Sequence, residues 1–257
     1  MIELDFIDLA WSVGLMAITI GLAQSQNLQL GGQLALATFR TVIQLLWVGY
    51  ILTFVFAGDN PLIVILALMV MLMIAAITTR NRISQKLPRL LFLVWGTILI
   101  STASTLIYVT IFVIKPDSWY DPQYIIPLAG IVIGQGMNAG TLAGERLVST
   151  INSHQKEIET HLSLGASPYQ AIARYRQDAI RAALIPTINS MMVVGLVHLP
   201  GSITGQLLSG IDPLQAAAYQ ILVMFMVAFA NLFTTVLITV AIYQQFFNEQ
   251  SQLLINP

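Results

Sequence analysis

The run Pro61-Leu62-Ile63-Val64-Ile65-Leu66-Ala67-Leu68-Met69-Val70-Met71-Leu72-Met73-Ile74-Ala75-Ala76-Ile77-Thr78-Thr79 carries no charge, and Arg80-Asn81-Arg82 closes it. Wound as a helix it reaches about 28 Å, close to the thickness of a bilayer's hydrocarbon core. A helix on the surface of a soluble domain keeps one polar face, and this run has none. It reads as a membrane-crossing helix.

Similar stretches lie on both sides of it. Hydropathy places seven spans near 7–25, 34–57, 61–79, 90–114, 124–145, 183–199 and 216–243. The breaks fall at 24–33, Gly58-Asp59-Asn60-Pro61, 80–89, 115–123, 146–181 and 200–213, and turn-forming Gly, Pro, Asn and Asp sit at most of them. The first break has no charge, so its limits are soft; 200–215 reads as a loop or a re-entrant segment. The apolar runs are far too long for the strands of a membrane barrel. Composition agrees: of 257 residues 56% are hydrophobic and 9% charged, against about 25% charged in a soluble domain. Mean hydropathy is +0.78. The expected fold is an all-α polytopic membrane protein, with 1–257 forming a single transmembrane domain.

A net charge of -1 offers no basic footprint for a nucleic-acid partner. With no Cys, disulfides and thiolate metal sites are excluded together. The start, Met1-Ile2-Glu3-Leu4-Asp5, lacks the basic region of a cleaved signal, so the first span is expected to stay in the mature protein.

Lys and Arg set the orientation. In a seven-span arrangement Arg40, Arg80, Arg82, Lys86, Arg89, Arg146, Lys156, Arg174, Arg176 and Arg181 share one side, and Lys115 stands alone on the other. That side is cytoplasmic, which puts the N-terminus outside and the C-terminus inside, in the inner (plasma) membrane of the cell. Glu3, Asp5, Asp8, Asp59, Asp117, Asp121 and Asp212 all fall outside. Arg40, within the second span, is placed to snorkel to the cytoplasmic interface.

The longest hydrophilic stretch is 146–181. From Asn152 to Leu164 it reads as a helix with Ile158, Leu162 and Leu164 apolar, capped by Asn152 or Ser153 and favoured by Glu157 and Glu159 in its early turns. Gly165 stops it, and Ser167-Pro168 starts a second helix with a cap and a Pro at its first position. That helix leads straight into the sixth span. Physics alone leaves two readings, a solvated connection or a docking surface. His154, Glu157 and His161 share a face, which reads as solvated or partner-facing more readily than as a metal site.

The run Glu159-Thr160-His161-Leu162-Ser163-Leu164-Gly165-Ala166-Ser167-Pro168 resembles the cytoplasmic EAA loop of ABC-transporter permeases. Glu159 and Gly165 match that pattern at the right separation, while Thr160 and His161 replace its two small residues. A second stretch is more specific. Asp178-Ala179-Ile180-Arg181-Ala182-Ala183-Leu184-Ile185-Pro186-Thr187, then Val194-Gly195-Leu196-Val197-His198-Leu199-Pro200-Gly201, Thr204-Gly205-Gln206-Leu207-Leu208-Ser209-Gly210-Ile211-Asp212-Pro213 and Tyr219-Gln220-Ile221 are similar to the Fet-type permease family. That family includes bacterial iron exporters and plant proteins linked to aluminium tolerance. His198 and Ser202-Ile203 depart from its pattern of Ser and a Met pair.

The resemblance implies a membrane-spanning subunit that works as a homodimer. Two copies of a separate ATP-binding chain would bind ATP-Mg, since no GxxxxGK[ST] phosphate loop occurs here. The ATPase would couple through Glu157, Glu159, Leu162, Gly165, Ala166, Ser167 and Pro168. The implied activity is export, with a metal ion, iron first, as cargo. No enzymatic activity and no cofactor are expected of this chain itself. A stand-alone secondary transporter or channel is the alternative, but it would call for acidic residues deep in the spans.

Inside the spans, Gly130, Gly134, Gly136, Gly140 and Gly144 recur at helical spacing in the fifth, with Ala139 and Ala143 beside them. Small residues so spaced let helices approach closely, either as static packing or as a sliding interface. Candidates for a translocation path are Met137 and Asn138 in the fifth span, Asn189, Met192 and His198 in the sixth, and the helix break at Pro200 and Gly201. Met sulfur and imidazole suit transition metals, so such a path passes an ion without a closed site. Packing and lipid contact account for most Met in a chain this apolar. No fixed metal ligands are assigned.

Overall fold

The computed structural model describes residues 5–57, 60–84, 87, 89–116, 118–248 and 250–254. Glu3, Asp59, Lys86 and Asp117 of the charge pattern lie outside the described residues. The chain divides into two compact units, Met1–Asn60 and Pro61–Pro257.

The first unit is a pair of helices, α1 (Phe6–Ser25) and α2 (Gly31–Ala57), in contact with each other. What ends α1 is local. Asn27 takes a left-handed backbone (φ 54°), and Leu28 N–H donates to Ala23 C=O while Asn27 N–H donates to Gln24 C=O. These are the two bonds of a Schellman cap, with Asn in the role Gly usually fills. The uncharged break thus has a definite stop. Most of the large side chains on both helices are exposed, Trp11, Trp47, Tyr50 and Phe54 among them. In water that surface would be a liability; in lipid it is ordinary.

The second unit holds α3 (Pro61–Ile83), α4 (Leu90–Val109), α5 (Pro122–Ser153), α6 (Gln155–Ser163), α7 (Pro168–Val193), α8 (Gly201–Leu208) and α9 (Pro213–Phe246). One π-helical turn, Thr110–Ile114, extends α4. Helices α5 and α9 form the centre: α5 packs on α3, α4, α7 and α9, and α9 also takes α4, α7 and α8. Asp caps begin both central helices, Asp121 receiving Gln123 N–H and Asp212 receiving Leu214 and Gln215 N–H, each followed by Pro at the first turn.

Glycine allows the close approach of α5 to its neighbours. A Cβ at Gly136 would stand 3.1 Å from Thr234 Oγ1, and one at Gly140 3.1 Å from Thr234 Cγ2. At Gly144 it would overlap Ile83 and lie 3.1 Å from Ile242 Cδ1. Gly130 faces Met71 of α3 instead, and Gly134 has nothing within 4 Å. Three of the five glycines therefore seat α9, with Gly144 seating α3 as well.

Among the described residues five helices are long and apolar enough to cross a membrane: α2 over Gly31–Phe56, α3, α4 with its π turn over Leu90–Ile114, α5 and α9. The apolar part of α1, Trp11–Ser25, is shorter, and α7 is not in that set. The reason is composition: the first half of α7 carries Arg174, Arg176, Asp178 and Arg181, and the helix turns apolar only beyond them. The described chain is all-helical, with no strand longer than an isolated bridge, and it is a multi-pass membrane protein.

Three boundaries differ from the sequence expectation. Helix α5 runs on through Asn152 and Ser153, so neither caps α6; His154 is the joint, and no side chain caps there. Helix α7 ends at Val193 rather than near Leu199, because Gly195 adopts φ 80° and the chain turns back through a Val194–His198 bridge. Residues 201–208, left open as a loop or re-entrant piece, form the eight-residue helix α8 against α9.

Candidate functional site

The turn between α6 and α7 is built from local chemistry. Helix α6 is amphipathic. Ile158 is fully buried in the same cluster as Leu147, Ile151 and Ile172, and Leu162 packs against that cluster. Glu159 lies on the exposed side. The helix ends in a second full Schellman cap: Gly165 (φ 89°) donates to Leu162 C=O, and Ala166 N–H donates to His161 C=O. Two residues later Ser167 and Gln170 form a capping box, with Gln170 N–H to Ser167 Oγ at 3.3 Å and Ser167 N–H to Gln170 Oε1 at 2.9 Å. Pro168 sits at the first turn of α7. The turn between the two helices is thus held by two backbone hydrogen bonds and two bonds between backbone and side chain. At its apex Leu164 is 80% exposed.

Docking-side candidates separate in the structure. Glu159, Gly165 and Ser167 are exposed, and Ala166 and Pro168 half-buried, whereas Leu162 points inward. Leu164, which the sequence reading did not select, is the apolar group on the surface. The Glu157 carboxylate stands beside the Tyr175 hydroxyl, and the His154 ring lies 5.1 Å from the Tyr175 ring. Burial first, then the Glu157 carboxylate, pushes the Tyr175 hydroxyl up to about 12. All three residues read as a solvated face are exposed, and two of them, His154 and Glu157, also touch Tyr175 of α7.

Further along, Arg176 Nε donates to Thr239 Oγ1 of α9 at 3.2 Å, and its guanidinium stands 5.1 Å over the Tyr169 ring. Tyr169 meets Tyr243 edge-on at 6.2 Å. The start of α7 is fastened to the end of α9 by these contacts.

The other end of α7 borders a cavity of about 340 Å³. Its polar lining comes from Gln135 of α5, Thr187 and Ser190 of α7, His198 of the turn, Ser202 of α8 and Gln220 of α9. Ser202 Oγ donates to Gln220 Oε1 at 2.5 Å, and Gln220 is buried. Of the sequence-selected path residues His198, Pro200 and Gly201 line this cavity. Met137 packs into the core, while Asn138, Asn189 and Met192 are exposed and outside the lining. On α5 the amide in the cavity is Gln135 rather than Asn138. Thr187 and Gln220 went unselected; the available signal was an amide in an apolar helix, which demands a partner in lipid.

The lining donors and acceptors are neutral amides and hydroxyls together with the imidazole of His198. Among the described residues no cluster of three or more His, Asp or Glu is placed to hold a metal ion.

The family model described as Uncharacterised protein family (UPF0014) matches residues 6–247. A UPF0014 membrane protein of Synechocystis is 52% identical over 255 residues, covering 99% of this chain and 98% of that one. The Probable iron export permease protein FetB of Escherichia coli is 33% identical, covering 96% and 94%. The protein ALUMINUM SENSITIVE 3 of Arabidopsis thaliana is 32% identical, covering 92% and 85%. No solved structure matches. With a family model spanning nearly the whole chain and relatives aligned end to end, the chain belongs to the UPF0014 family of membrane proteins, the one to which the Fet-type resemblance pointed.

Proposed function

We propose that this chain is the permease subunit of an ABC transporter in the inner membrane, an exporter of a metal ion with iron as the first cargo to test. Two copies form the pathway, and two copies of a separate ATP-binding chain hold ATP-Mg and supply the energy. The observation that carries this reading is the α6–α7 turn. A short helix anchored from within by Ile158 and Leu162 presents Glu159, Leu164 and Gly165 outward, and its rigid exit leads into the helix that lines the cavity. An element that only connected two spans would need neither two caps in succession nor an exposed Leu at the apex.

In this arrangement the 146–181 side is cytoplasmic, α1 and the apolar half of α7 complete seven spans, and the N-terminus is outside. When the ATP-binding chains close, the α6–α7 turns move with them. The capping box at Ser167 keeps the start of α7 from fraying, so displacement passes along α7 to Pro186, Thr187 and Ser190 at the cavity. Pro186 inside the helix removes one backbone hydrogen bond and gives α7 a place to bend. The Escherichia coli relative, a Probable iron export permease protein, supports iron and export for the cargo and direction.

The test is co-expression with a candidate ATP-binding chain, joint purification and reconstitution into liposomes. Co-purification, with ATP hydrolysis raised by the permease and lowered by Glu159→Lys and Gly165→Pro, is the expected outcome. Normal complex formation and transport in both variants would remove the docking assignment.

A further inference from the structure

We infer that a buried ligand site, filled by a water molecule, lies between Asn231 and Thr234 of α9, beside Thr187 of α7. Both residues are all but fully buried, at 2% and 1% exposure. Asn231 Nδ2 donates to Thr187 Oγ1 of α7 at 2.7 Å, which satisfies the amide nitrogen. Asn231 Oδ1 and Thr234 Oγ1 have no hydrogen-bond partner among the described residues.

The orphaned hydroxyl has a local cause. A Thr in a helix usually turns its hydroxyl back to the carbonyl four residues earlier. For Thr234 that is Ala230, whose carbonyl already takes Ser101 Oγ of α4 at 3.1 Å as well as its helical N–H. Thr235 and Thr239 do bond back within α9. Thr234 instead faces Gly136 of α5, whose missing side chain admits the Oγ1 at close range without offering it a partner.

Geometry then favours one shared ligand. Residues three apart on a helix have their Cβ atoms about 5–6 Å from each other, a gap one water spans with two ordinary hydrogen bonds. Thr187 Oγ1 accepts from Asn231, so its own proton remains to be donated. A water there would have three polar partners, the usual number for a buried one. Thr187 also lines the cavity, which connects the site to the polar lining. The ligand is an uncharged hydrogen-bonding molecule. Three neutral side-chain atoms do not offset a bare cation in so dry a place.

The site rests on burial and hydrogen bonding, independently of the transport reading, and folding stability tests it. The full chain, purified in detergent, is melted as wild type, Thr234→Val, Asn231→Leu and the double variant, with Thr235→Val as a control whose hydroxyl bonds within its own helix. An occupied site predicts that Thr234→Val lowers the melting temperature by about 2–4 °C, and that the double variant's shift is smaller than the sum of the two single shifts. Thr235→Val shifts it less. If Thr234→Val leaves the melting temperature unchanged or raises it, the hydroxyl had no ligand and the inference fails. Full additivity overturns it too, because the two atoms then share nothing. Should Asn231→Leu not fold, the sign of the Thr234→Val shift decides alone.

Discussion

Arg176 Nε reaches Thr239 Oγ1 at 3.2 Å, and along the same two helices Asn231 Nδ2 reaches Thr187 Oγ1 at 2.7 Å. From 176 to 187 the rise along α7 is about 16 Å, so the two bonds pin α7 to α9 at both ends of its middle stretch. Helix α7 is thereby held as a strut between the α6–α7 turn and the cavity. Arg176→Ala removes the lower pin and the cover over Tyr169. Thermal unfolding is expected to show a loss of about 1–2 kcal/mol. Arg176→Lys recovers little, because the ammonium lacks the flat guanidinium that lies over the ring.

Gly144 and Gly134 lie ten residues apart on α5 and predict opposite outcomes. At Gly144 an added methyl overlaps Ile83, so Gly144→Ala forces α3 and α9 outward and costs about 1–3 kcal/mol. At Gly134 nothing lies within 4 Å, so Gly134→Ala is neutral or stabilises by up to about 1 kcal/mol through helix propensity. Melting curves of the two purified variants separate static packing at one site from open space at the other.

Leu162 and Leu164 are likewise distinguishable. Leu162→Ser removes an anchor of α6 and lowers stability, measured by melting. Leu164→Ser changes an exposed side chain and leaves the melt unchanged, yet weakens binding of the ATP-binding chain roughly tenfold in a titration.

Tyr175 gives a pH signature. Burial and the Glu157 carboxylate push its hydroxyl up to about 12 in the folded chain, against 10.0 for a free tyrosine. The folded state therefore keeps the proton that the unfolded chain releases, and stability falls as pH rises from about 10 to 12. Below 10 this group contributes no slope. Tyr175→Phe is expected to flatten the fall of melting temperature in that window, and an unchanged profile would show that Tyr175 is not its source.

Legibility in the sequence followed locality. The charge-free run at 61–79 needs no other part of the chain to be read as a span, and Gly165 with Ser167-Pro168 signals its turn within four residues. Gly195 ends α7 just as locally, but Pro200-Gly201 carried the louder signal and drew the predicted boundary late. The cavity was less legible. Which amide of α5 faces it depends on how α5 sits against α7, α8 and α9, so Asn138 was chosen where Gln135 lines the wall. Asn231 matters because Thr187 lies opposite, a pairing across 44 residues that no periodicity announces. Leu162 and Leu164 differ in burial although both are apolar, since two residues along a helix is about 200° of rotation.

The central claim is that the α6–α7 turn transmits ATP-driven motion into α7. It is tested most directly in liposomes holding the permease and its ATP-binding partner, by following ATP-dependent iron movement in wild type and Gly165→Pro alongside complex formation. Gly165→Pro breaks the left-handed cap, since proline cannot take φ 89°. The predicted result is an assembled complex whose ATP hydrolysis falls toward the rate of the ATP-binding chain alone, with transport lost or sharply reduced. Iron transport at the wild-type rate in Gly165→Pro would contradict the claim.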